Sequence, residues 1–84
     1  MYWDVKAVEL QNYLTLKVTF ADGLQGIVCF KPSHLTGLFE ALKDQAYFKK
    51  VYVDHGVVMW PGELDLAPDA MYTAIKKTGF WVLD

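Results

Sequence analysis

The sequence predicts an α+β domain: an antiparallel meander plus a second hairpin forming one sheet, with two short helices on one face, in the order β-β-β-α-β-β-α. Three observations carry the prediction. Residues 13–20 alternate strictly, with Leu14, Leu16, Val18 and Phe20 on one face and Tyr13, Thr15, Lys17 and Thr19 on the other. Asp22-Gly23 follows at once, a pair that tolerates the positive φ of a tight hairpin. Pro68, Asp69, Lys76-Lys77 and Gly79 then mark the start and stop of one helix.

The elements follow in chain order. Residues 3–10 read as a first strand, turned at Gln11-Asn12. The alternating run 13–20 has the period of a strand with one buried and one wetter face. Residues 24–30 return antiparallel after the Asp22-Gly23 turn and complete the meander. At Lys31-Pro32-Ser33 the pattern changes, and Ser33 is placed to cap a helix whose stripe is Leu35, Leu38, Phe39 and Leu42. Gly37 costs that helix roughly 1 kcal/mol relative to Ala, which keeps it short. Asp44 reads as the cap of one further turn carrying Tyr47 and Phe48. Residues 51–54 and 57–60 form a second hairpin about Asp54-His55-Gly56. The last helix puts Met71, Tyr72 and Ile75 on one face, with Asp69 in its first turn and the lysine pair in its last, where the helix dipole favours each sign. Residues 80–83, Phe-Trp-Val-Leu, form a strand-like tail.

Size and charge narrow the function. A chain of 84 residues is one domain. A fold this small hides only roughly 60% of its unfolded surface, so a 54% hydrophobic composition points to a partner or a self-association face. Eight Lys and Arg against ten Asp and Glu leave a net charge of -2, which is no electrostatic footprint for nucleic acid. Tyr13, Tyr52 and Trp60 invite a base-stacking reading, but no cations stand beside them, so direct nucleic-acid contact is not expected. The single Cys29 allows no internal disulfide and reads as a small buried hydrophobe. Asp4, Lys6 and Glu9 leave no signal-peptide stretch, and no apolar run approaches a membrane span. A cytoplasmic, membrane-free protein is expected.

A longer pattern runs through these elements. Phe20-Ala21-Asp22-Gly23 closes one strand, Leu38-Phe39-Glu40-Ala41-Leu42-Lys43-Asp44 and Phe48-Lys49-Lys50-Val51 follow, and Val57-Val58-Met59-Trp60-Pro61-Gly62 leads to Asp65-Leu66-Ala67-Pro68-Asp69-Ala70-Met71-Tyr72. Over residues 4–72 this resembles the small bacterial domain-of-unknown-function family numbered 2442, in which a Trp-Pro strand end with a nearby Gly leads to Asp-Leu, then to Pro-Asp and an aromatic. The residues that carry the resemblance are Asp22, Gly23, Trp60, Pro61, Gly62, Asp65, Pro68 and Asp69. The chain departs from the pattern at Cys29-Phe30, where the family often has an acidic residue and a leucine. The resemblance implies a fold and a setting, since some members are encoded beside a small partner in arrangements like toxin–antitoxin pairs. It implies no activity.

Candidate sites are few. Glu63, Asp65 and Asp69, with Asp54-His55, could offer oxygen ligands to a divalent cation, but their spacing is not that of a calcium loop. Each also has a local explanation: Gly62 turns the chain after Pro61, Asp65 bonds loop amides, and Asp69 suits a helix start. Cys29 lies inside a strand, away from any plausible pairing with His34 or His55, and Ser33 is the only serine. No catalytic, metal or cofactor residues are therefore assigned. Trp60 is expected to anchor the core.

The expected function is a non-enzymatic protein-interaction domain, antitoxin-like or an accessory regulatory module. The alternative is a small-molecule- or divalent-metal-binding domain that uses the acidic loop after the second hairpin. Both termini are aromatic, with Tyr2 and Trp3 at one end and Phe80 and Trp81 at the other, where fraying normally favours polar residues. Two accounts of the tail stand open. It returns to pair with an edge of its own sheet, or it pairs across a two-fold axis or with a partner chain. A homodimer or a hetero-complex with Phe80 and Trp81 at or near the interface is expected.

Overall fold

The structure, a computed structural model, describes residues 3–62 and 64–83, and for Leu38 the backbone alone. It is an α+β domain built from seven strands and two α-helices in the described residues. The strands β1 (Val5–Asn12), β2 (Thr15–Phe20) and β3 (Gln25–Phe30) form the expected antiparallel meander. Helix α1 (Gln45–Phe48), the hairpin β4 (Tyr52–Asp54) and β5 (Val57–Trp60), the short strand β6 (Leu64–Asp65), helix α2 (Pro68–Thr78) and the terminal strand β7 (Phe80–Leu83) follow.

The strands divide into two sheets, ordered β1-β2-β3-β7 and β4-β5-β6, where the sequence predicted one. The reason is a contest for the free edge of β3. The tail takes it, running parallel to β3 with Ile27 opposite Phe80 and Phe30 opposite Leu83. The second hairpin is thus displaced and instead pairs β5 with β6. It stays tied to the first sheet where the Val5 N–H donates to the Gly56 carbonyl at 2.9 Å. A single core joins both sheets, because Leu16, Val18, Phe20 and Val28 cluster with Val58, Trp60 and Leu64.

Alternation in β2 behaves as its pattern requires: Leu14, Leu16, Val18 and Phe20 are all buried. The turn before it is displaced. β1 runs on to Asn12, and Tyr13-Leu14 makes the reversal, with Leu14 at φ 64°. Burial explains why Leu14 tolerates the left-handed region, since its side chain enters the core and its carbonyl accepts the Phe30 N–H at 2.9 Å. The Tyr13 hydroxyl then reaches across to donate to the carbonyl of Lys43 at 2.8 Å.

The first predicted helix is not an α-helix. Two 3-10 segments, Pro32–His34 and Gly37–Lys43, replace it, and Ser33 lies inside the first rather than capping anything. Thr36 is extended between them, and Gly37 takes φ 59°, which interrupts the helical stripe. Leu35 and Leu42 nevertheless reach the core. Asp44 does cap α1, accepting the Ala46 N–H at 2.9 Å.

Helix α2 begins with Pro68 in its first turn and ends on Gly79 in the left-handed region at φ 87°, as its punctuation requires. Its buried residues Met71, Tyr72 and Ile75 face the core. Gly26 lets this helix approach β3. A Cβ there would run into the Ile75 side chain and lie 2.8 Å from the Gly79 carbonyl oxygen.

Candidate functional site

Two regions of the described surface stand out; Leu10, Tyr13 and Tyr52 are exposed elsewhere. The first is the junction of the β2–β3 turn with α2. Asp22 sits in a turn set by Gly23 at φ 94°, and its Oδ1 accepts the Leu24 N–H at 2.9 Å. Its Oδ2 accepts the Tyr72 hydroxyl at 2.5 Å. Tyr72 is only 7% exposed, and its ring meets Phe20 edge-to-face with centroids 5.0 Å apart. The Lys76 ammonium lies 5.7 Å from the centre of that ring. The Tyr72 hydroxyl and then the Leu24 amide hold the Asp22 carboxyl below its ordinary value, against an opposing effect of desolvation and with a lesser contribution from the Lys76 charge. Asp22, Tyr72, Thr73, Lys76 and Lys77 line an open groove of about 450 Å³ here.

The second region is the outer edge and face of β7. Gly79 and Leu83 offer their carbonyls to the N–H groups of Ile27 and Lys31. Alternation along a parallel pair then turns the polar groups of Phe80 and Val82 away from β3. Phe80 is 55% exposed and Val82 46% exposed, whereas Trp81 and Leu83 pack against the core. The outward N–H and C=O of Phe80 both contact the Thr78 hydroxyl, which caps that end of the edge. On the same sheet face Ile27 stands opposite Phe80, and Cys29 opposite Val82.

The four candidate interaction residues therefore separate. Phe80 faces outward, Trp81 and Trp3 pack against the core, and Tyr2 lies outside the described residues. Trp81 leaves the exposed set because strand alternation sends it to the face opposite Phe80.

The family-motif residues serve the fold in distinct ways. Trp60 is fully buried against Phe30 and Phe48, and its indole N–H donates to the Phe48 carbonyl at 3.0 Å. The Tyr47 hydroxyl donates to the carbonyl of Pro61, and Gly62 turns the chain at φ 93°. Asp65 belongs to β6, paired with Met59 and exposed, where the sequence placed it in a loop. Asp69 is exposed in the first turn of α2, and its carbonyl accepts the Thr73 hydroxyl at 3.0 Å.

The described acidic residues of this region do not converge. Glu63 lies outside the described residues, and among the described residues no three His, Cys, Asp or Glu side chains gather as a metal site. Asp54 and His55 form an exposed pair at 2.9 Å on the hairpin turn. Cys29 is half-buried in β3. His34 is taken up in packing, its ring 4.9 Å from that of Phe39.

Sequence reasoning named Asp22 and an aromatic at position 72 in separate blocks of one motif but did not join them. A turn Asp and a helix Tyr fifty residues apart leave no local signal. Only their presence in one pattern hints at contact.

These features define a small α+β domain in which a turn aspartate and a helix tyrosine lock the last helix to a meander sheet. The chain belongs to the family described as proteins of unknown function, DUF2442, whose model matches residues 5–77. No curated protein and no solved structure gives a significant match. Among the described residues no helix is long and apolar enough to cross a membrane.

Proposed function

We propose that this chain is a non-enzymatic protein-interaction domain, antitoxin-like or an accessory regulatory module, that engages another chain along β7. One observation carries the reading: Phe80 and Val82 are exposed apolar side chains on an edge strand whose backbone groups at Val82 point outward. Edge strands with free polar groups add strands from other chains, and alternate side chains supply specificity. Natural edges are usually blunted by Lys, Pro or a bulge; β7, Phe-Trp-Val-Leu, carries none of the three. Ile27 and Cys29 extend the apolar strip inward from the edge.

The non-enzymatic part of the reading rests on where the reactive types sit. Cys29 is half-buried in the middle of a strand, and His34 packs on Phe39. A nucleophile needs a base within hydrogen-bond reach and a site for the reacting atom.

The test compares wild type with Val82→Pro, which removes one outward N–H and leaves the pairing with β3 in place. Light scattering of the purified chain, and co-purification with the product of the adjacent reading frame, read the two possible occupants. The wild type should associate with itself or with that product, and Val82→Pro should not. Equal association by both forms would move the interface elsewhere. A strict monomer that also ignores its neighbour's product would refute the reading.

A further inference from the structure

The groove between Asp22 and α2 takes no lining residue from β7. Its volume of about 450 Å³ falls within the roughly 300–1,000 Å³ of small-ligand sites. Its walls are held before any ligand arrives. Tyr72 is fixed at both ends, by Asp22 through its hydroxyl and by Phe20 against its ring. A rigid wall lowers the ordering cost of binding.

Charge sets the kind of ligand. The lining holds one carboxylate, Asp22, and two ammonium groups, Lys76 and Lys77, which leaves one positive charge in excess on a chain of net charge -2. Asp22 is committed, since each of its oxygens already accepts a hydrogen bond. Lys76 stands over the Tyr72 ring and feels the Asp22 charge. Among the described residues, no carboxylate lies within ion-pair distance of Lys77. A ligand cation would meet an occupied carboxylate and two repelling ammoniums. A phosphate backbone would need more than two lysines to hold it. The helix dipole explains why lysines suit the last turn, but it does not explain the fixed aromatic wall and the groove in front of them.

We propose that this groove binds a compact carboxylate or phosphate group: the anion sits on the Lys76 and Lys77 ammoniums, and the ligand's body lies against Thr73, the lysine stems and the small part of Tyr72 left exposed. The stems supply apolar wall while their heads stay in water. This anion comes from a free small acid or from an acidic side chain of a partner protein, and the same chemistry serves both.

The test is a titration of ¹⁵N-labelled chain with benzoate, inorganic phosphate, a short Glu-containing peptide and, as a charge control, benzylammonium. Saturable shifts confined to the amides of residues 22–24 and 72–78 are expected with the anionic probes. Saturation by benzoate or phosphate identifies a free acid as sufficient, and saturation by the peptide alone identifies a protein source. Lys77→Gln should weaken the response roughly tenfold, the loss of one charge-assisted bond. Lys49→Gln should leave it unchanged. Linear, unsaturated shifts with every anion would overturn the proposal. So would an equal response in Lys77→Gln, or benzylammonium binding as well as benzoate.

Discussion

Tyr72 and Asp22 join the last helix to the first hairpin through a 2.5 Å hydrogen bond that spans fifty residues of chain. The bond favours the ionised carboxyl, so Asp22 ionises more readily in the folded chain than in the unfolded one. A depressed folded pKa contributes stability above the unfolded value, and that contribution disappears as pH falls through the folded value. Tyr72→Phe should therefore lower the thermal midpoint near neutral pH. The gap from wild type should then close as the pH drops below the ordinary Asp value of 3.8. A pH series of thermal melts on both forms checks this, and a gap that stays constant into acid would separate the bond from the titration.

Trp60 is a second test of the fold. It is fully buried among Phe30 and Phe48, with its indole N–H bonded. Trp60→Ala should cost about 3–5 kcal/mol in urea unfolding, a large part of the roughly 5–15 kcal/mol typical of a domain. Trp60→Phe should cost less, since it keeps most of the ring volume and loses chiefly the bond to Phe48.

Gly26 sets the distance between β3 and α2. Gly26→Ala should destabilise by roughly 1–3 kcal/mol or more through overpacking. In an Ile75→Ala background, itself destabilised by the cavity it opens, Gly26→Ala should cost less than in the wild type but still destabilise, because the Gly79 carbonyl oxygen would still lie 2.8 Å from the new Cβ. Urea midpoints of the single and double variants decide the point.

The tail divides into an inner and an outer side. Truncation after Gly79 removes Trp81 and Leu83 from the core and the Leu83 carbonyl from Lys31, so it should lower the thermal midpoint clearly. Val82→Pro touches only the outer side and should cost roughly 1 kcal/mol or less. Thermal melts followed by circular dichroism compare the two.

Much of this architecture was legible in residue order because local rules governed it. The alternation of residues 13–20, the Asp22-Gly23 turn, the Asp44 cap and the Pro68-to-Gly79 helix all depend on neighbours in sequence. What escaped depended on competition between distant segments. The edge of β3 went to the tail, which split the sheet in two, and no local pattern sets that priority. The stripe Leu35, Leu38, Phe39 and Leu42 suggested an α-helix, yet Gly37 and the extended Thr36 broke it into 3-10 turns. The candidate groove was missed for the same reason as the Asp22–Tyr72 bond: its two walls come from opposite ends of the chain.

If another chain adds to the outer edge of β7, the amide of Val82 reports on it directly. Its hydrogen exchange should be fast in the dilute, isolated chain, because its N–H points away from β3. At a concentration where light scattering shows association, or in complex with the neighbouring gene product, the account predicts marked slowing at Val82. The amide of Trp81, already facing β3, should change little. Association that leaves Val82 exchanging as fast as before would contradict the account.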